Sequence, residues 1–134
     1  MNNLNSLIIE GNVVKTGNVV EPVSGFKKCL FPVAVNRWYK TKDGNGATEV
    51  SYFDVETYGK MAETCAQQAV KGRGVRIVGR LKQDRWNDSD GRAHSRIFVI
   101  AEHIEYKPKA KTESSGEPSP ENYSGYETAE ASVF

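Results

Sequence analysis

The chain has 134 residues, 38% of them hydrophobic and 26% charged, enough for one domain of about 100 residues around a buried core and too few for two. No apolar run approaches the ~20 residues of a membrane-spanning helix, and no basic flank precedes an apolar stretch at Met1-Asn2-Asn3-Leu4-Asn5, so a soluble, unexported, cytoplasmic protein with no membrane partner is expected. The net charge of +1 conceals a division: residues 1–112 hold all 18 Lys and Arg against 12 Asp and Glu, a balance of +6, whereas residues 113–134 hold five Glu and no base, −5.

Leu7-Ile8-Ile9 and Val13-Val14 are apolar on both strand faces, which predicts a first strand covered on both sides, by its own core or by a neighbouring subunit. Residues 17–25, with Glu21-Pro22 between two glycines, read as a loop. Residues 26–38 read as a strand in which Pro32 demands an edge position or a bulge. Asp43-Gly44 and Asn45-Gly46 make residues 40–47 a long hairpin loop. The returning strand, 50–58, sets Phe53, Val55 and Thr57 on one face and Tyr52, Asp54, Glu56 and Tyr58 on the other.

Met61, Cys65 and Ala69 then fall at helical spacing over residues 60–69, with Gly72 as the stop. Residues 75–86 return to alternation, Val75, Ile77 and Leu81 against Arg76, Arg80, Lys82 and Trp86; Asp90-Gly91 turns the chain into a last strand at 97–104. Three strands, a short helix and two strands predict an all-β fold, a five-stranded Greek-key OB barrel with one short helix. From Lys107 the composition shifts to Lys, Glu, Ser, Gly and Pro, which cannot bury enough apolar surface to offset ordering entropy. The expected organisation is a barrel domain over 1–106 and a disordered acidic tail over 107–134, ending in the apolar pair Val133-Phe134.

A sequence-tolerant binder of an unpaired nucleic-acid strand needs cations along a groove and flat rings between them. The outward strand faces supply both. Tyr52 and Tyr58 are an even number of residues apart, hence on one face and about 20 Å apart at roughly 3.3 Å per residue. Trp86 ends the strand bearing Arg76, Arg80 and Lys82, and Trp38 and Tyr39 follow Arg37 at the base of the long hairpin. These five rings are the base-stacking candidates. Arg37, Lys40, Lys42, Arg76, Arg80, Lys82, Arg85 and Arg92 are the phosphate candidates, several at hairpin loops from which they can reach around a wrapped strand. Asp54 and Glu56 share the Tyr52 face and oppose phosphate; pairing with Arg76 or Arg80 would neutralise them.

Other chemistry is poorly supplied. Cys29, Cys65, His94 and His103 form no recognised metal spacing, so neither a metal nor another cofactor is expected. Lys71-Gly72-Arg73-Gly74 lacks the P-loop spacing and reads as a helix stop and turn. A nuclease would need clustered carboxylates or an acid and base, and Asp54 with Glu56 lacks a third member, so no catalytic residue is assigned. The alternative within the same fold is an adaptor whose barrel binds another protein, marked by an exposed apolar stripe without interleaved cations.

Leu7-Ile8-Ile9-Glu10-Gly11-Asn12, Phe31-Pro32-Val33-Ala34-Val35-Asn36-Arg37, Tyr58-Gly59-Lys60-Met61-Ala62-Glu63, Lys71 through Leu81 and Trp86-Asn87-Asp88-Ser89-Asp90-Gly91 occur in an order and spacing that resembles the bacterial single-stranded DNA-binding proteins over residues 3 to about 104. The resemblance implies a homotetramer of OB folds around which single-stranded DNA wraps, with stacking rings at Tyr52, Tyr58, Trp86 and one of Trp38 or Tyr39. It implies work in replication, recombination and repair, in the cytoplasm with the nucleoid, and a tail whose end, Val133 and Phe134, recruits partner enzymes. The typical terminus of that family has consecutive Asp residues before Ile-Pro-Phe; this chain has only the dispersed Glu127 and Glu130.

Overall fold

Period-two alternation organises most of the chain, and each alternating run becomes a strand whose apolar side turns to one core. The computed structural model describes residues 1–109. In chain order they form β1 (Leu7–Val13), β2 (Asn18–Val23), β3 (Phe26–Lys40), β4 (Gly46–Tyr58), α1 (Lys60–Gln68), β5 (Gly74–Asn87) and β6 (Ala93–Tyr106). The hydrogen-bonded order β1-β5-β6-β4-β3 returns to β1 where Asn12 meets Ala34 and Val13 meets Val33, so five strands close a barrel. The pairings are antiparallel except β4 with β6, which run parallel at Val55↔Val99 and Glu56↔Ile100. The expected five-stranded barrel with one short helix is the observed fold.

Closure brings two backbones together at Gly11. A Cβ there would collide with the Ala34 carbonyl and stand 2.9 Å from Val33 Cγ1, so β1 can cross β3 only without a side chain. Inside lie Val13, Phe31, Val33, Val55, Val75, Ile77 and Val99, and α1 seals one end with Ala62, Cys65 and its C-cap Ala69. A nine-residue helix is marginal alone in water, and its stability comes from burying that face.

Two pairings run on past the barrel. β3 and β4 stay paired to Lys40↔Gly46, and β5 and β6 to Asn87↔Ala93, while β4 and β6 pair only at the two positions above. The result is two two-stranded arms that part beyond the barrel. Between β4 and β6 a cleft opens, lined by Tyr52, Phe53, Asp54, Leu81, Ile97, Phe98 and Val99.

Several boundaries differ from expectation. Residues 17–25 are not loop throughout: Asn18–Val23 form β2, which pairs with β3 from Asn18↔Leu30 with a register irregularity before Val23↔Phe26, and Ser24-Gly25 make the turn between them. β2 has no second neighbour in the sheet, so Pro22 needs no N–H on its open side. Pro32 lies where β3 changes partner, after its last pairing with β2 at Leu30 and before its first with β1 at Val33. β6 begins at Ala93 rather than Ile97. The irregularity between β5 and β6 falls at Val78/Gly79, where the register passes from His103 to Ala101 and skips Glu102, so the alternation of β5 itself is uninterrupted. β6 ends at Tyr106; residues 110–134, with the tail and the partner-binding candidates Val133 and Phe134, lie outside the described residues.

Candidate nucleic-acid interface

Residues directly opposite each other in a sheet share a face, so the registers trace one continuous surface. On β4 it carries Thr48, Val50, Tyr52, Asp54, Glu56 and Tyr58; opposite them β3 contributes Trp38, Asn36, Ala34, Pro32, Leu30 and Lys28. Through Glu56↔Ile100 the face continues to Phe98, Arg96 and His94 on β6, and from these to Arg80, Lys82, Asp84 and Trp86 on β5. Trp38, Tyr52, Tyr58 and Trp86, from three strands, therefore share one side. Tyr39, opposite Ala47, has the other parity and faces away from them.

The rings are accessible. Trp38 is 66% exposed, Trp86 49% and Tyr39 37%, while Tyr52 and Tyr58 are half-buried at the surface. Most have a visible support. The Trp38 indole lies against Gly46, where any Cβ would stand 2.7 Å from its Nε1. Trp86 stacks on His94 at 5.6 Å and 20°, and His94 Nε2 lies 2.8 Å from Asp88 Oδ2. Tyr58 stacks at 5.6 Å and 22° on Phe26, a ring outside the set of candidates drawn from the sequence. Tyr39 has Arg37 above it at 5.6 Å.

The candidate cations divide into two groups. Over the barrel they are held by carboxylates: Arg76 by Glu10 (2.8 Å) and Glu105 (3.9 Å), Arg80 by Glu102 (3.5 Å) and Lys82 by Asp84 (3.6 Å). Arg37, on the first arm, pairs with Glu49 at 3.0 Å. Among the described residues no ion pair is found for Lys40, Lys42, Arg85 or Arg92. These four belong to the arms: Lys40 and Lys42 at the end of the β3/β4 arm, Arg85 near the end of β5, and Arg92 in the turn into β6.

The two carboxylates on the ring face do not pair with Arg76 or Arg80 as expected. Glu56 is 3% exposed although it points to the outer side of the sheet. Arg96 Nη2 donates to its Oε2 at 2.6 Å, the Tyr58 hydroxyl donates to its Oε1 at 2.8 Å, and Lys28 Nζ stands 3.5 Å from Oε1. The Arg96 guanidinium lies over the Phe98 ring at 4.2 Å. Removing Arg96 would strand the buried Glu56 charge, whereas Arg96 itself, about a third exposed, keeps access to water. Burial, and then the hydrogen bond to Glu56, push the Tyr58 phenol up to about 12. Asp54 is also pushed up, first by burial, with Arg96 opposing and Glu56 adding to the shift.

Arg96 and Lys28 were not legible in the sequence because nothing local marks them. The available signal was the length of the β5/β6 hairpin: a strand running to Asn87 before a short turn needs a partner from Ala93, which brings Arg96 onto the ring face. Among the described residues no group of three or more His, Cys, Asp or Glu is placed to hold a metal ion.

Comparison with known proteins adds ancestry to this geometry. Residues 4–107 match the family model described as the Single-strand binding protein family. Over 101 residues the chain is 37% identical to a single-stranded DNA-binding protein of Aquifex aeolicus, covering 75% of this chain and 68% of that one. Over 124 residues it is 32% identical to a single-stranded DNA-binding protein of Wolinella succinogenes, covering 92% and 76%. A solved structure, a Plasmodium falciparum SSB in complex with ssDNA, is similar with a TM-score of 0.72 over 81% of this chain and 98% of that chain; at 17% identity this likeness is one of fold.

Proposed function

The chain belongs to the single-strand binding protein family, and from that premise we propose that it binds single-stranded DNA without sequence preference. Bases stack on Trp38, Tyr52, Tyr58 and Trp86, and the phosphates follow the arms. The observation that carries this reading is the common face of these four rings, set by strand register, with each ring at least partly open to solvent. Every base has a π-face, so a row of rings accepts any sequence, at roughly 1–3 kcal/mol per stacked base.

The wider reading is a homotetramer that wraps and protects single strands during replication, recombination and repair, in the cytoplasm with the nucleoid, and recruits partner enzymes through its acidic tail, with Val133 and Phe134 as the anchor. Self-association is supported by apolar surface left uncovered in one chain: Ile8 on β1, 68% exposed, and Phe53, Leu81 and Ile97 along the cleft. Tail recruitment is supported by the −5 charge of residues 113–134 followed by the apolar end. The protein is read as a binder rather than an enzyme, since the Glu56 carboxylate is already bonded to Arg96 and Tyr58.

The test is competition between an unstructured oligonucleotide and its duplex. The single strand should win, and Trp86→Ala should weaken its binding by about 1–3 kcal/mol. Unchanged affinity in the variant would remove Trp86 from the interface.

A further inference from the structure

Glu56 stands in an unusual place: a carboxylate on the outward face of the sheet, among the rings, yet almost closed to solvent. Its oxygens are divided. Oε2 takes Arg96, while Oε1 takes the Tyr58 hydroxyl and lies near Lys28, the residue directly opposite Tyr58 in the ladder. The other side of the Tyr58 arrangement is Phe26, stacked on its ring. Held at its hydroxyl by Glu56 and at its face by Phe26, the ring has little rotamer freedom left to lose.

We propose that Glu56 is a positioning residue for nucleic-acid binding: it fixes the Tyr58 ring in the orientation in which a base stacks, and it keeps Arg96 folded against Phe98 instead of extended toward phosphate. This rests on reading Tyr58 as a stacking platform. An aromatic side chain ordered before the ligand arrives spares binding the cost of ordering it. Arg96, already paired with this carboxylate, contributes little to the release of counterions.

Four variants of the full chain, titrated with a dT oligonucleotide over a range of salt, test the inference, with thermal midpoints recorded to confirm folding. Tyr58→Ala removes the ring and tests the platform itself. Tyr58→Phe keeps the ring and removes only the hydroxyl that Glu56 holds; it should weaken binding roughly fivefold, the scale of one side chain newly ordered on binding, with the salt slope unchanged. Glu56→Gln should weaken binding by a smaller factor at high salt, because a neutral acceptor holds the hydroxyl less strongly, and should steepen the salt slope, because Arg96 is no longer held by a carboxylate. At that high salt the double variant, Glu56→Gln with Tyr58→Phe, should bind no more than about twofold worse than Tyr58→Phe alone, since both changes break one link.

Wild-type affinity in Tyr58→Phe, or a double variant whose loss is the product of the single losses, would overturn the positioning role while the platform stands, provided Tyr58→Ala binds weakly. Wild-type affinity in Tyr58→Ala would overturn the platform reading at this position and the inference with it.

Discussion

Asp54 puts a negative charge among the rings, and its environment makes that charge expensive to keep. Burial raises its pKa, Arg96 partly opposes this and Glu56 adds to it. Because the folded protein holds this proton more tightly than the unfolded chain, the contribution to stability falls as pH rises from the ordinary carboxylate range through the raised value, and is lowest above it. Asp54→Asn should therefore melt higher than wild type at neutral pH, with the gain vanishing in acid. Binding should follow the same course: at low salt the variant binds single strands more tightly at neutral pH, and the two proteins converge as Asp54 protonates. Parallel melting and binding curves measured across pH check this, and a pH-independent difference would contradict it. At this scale the parity of Tyr52 and Tyr58 could be read from spacing alone. The Glu56–Arg96 pair could not, because it depends on a parallel register between segments 40 residues apart.

The arms carry the division of labour among the cations. Over the barrel, Arg76, Arg80 and Lys82 are balanced by Glu10, Glu102, Glu105 and Asp84, whereas Lys40, Lys42, Arg85 and Arg92 on the arms have no ion pair among the described residues, which makes these four the proposed phosphate contacts. Replacing these four by Ala should flatten the log-log dependence of affinity on salt by about 0.7 for each phosphate left without its cation. Arg76→Ala should leave that slope unchanged, and titrations at several salt concentrations would show the opposite pattern if the barrel cations hold the phosphates. Strands with strict alternation were legible, as was the helix from its apolar spacing. β2 was not, because Pro22 fits a strand only at an open edge such as the one where β2 lies, and Gly17 and Gly25 just outside it made the whole segment read as loop. The start of β6 was hidden for a related reason: Ala93, His94 and Ser95 are exposed on the arm and Arg96 is polar, so no apolar alternation announces the strand.

At the scale of the molecule, a barrel closed at Gly11 holds two arms apart and leaves a single outward face crossing from one to the other. Phe98 and Ile100 on this face are buried, but the core inside the closed barrel is filled by other residues, so Trp38 and Trp86 can stay uncovered on it. Element order made the barrel legible in advance, while the width of the face was not, since it depends on how far the hairpins outrun the β4–β6 pairing. Both tryptophans of the chain, Trp38 and Trp86, lie on this face, one on each arm. Their emission therefore reports directly on whether bases lie against the rings. On titration of the full chain with a dT oligonucleotide, tryptophan emission should be strongly quenched up to a defined stoichiometry, and the matching duplex should leave it nearly unchanged. Saturable binding of the single strand with emission unaltered would contradict the stacking face.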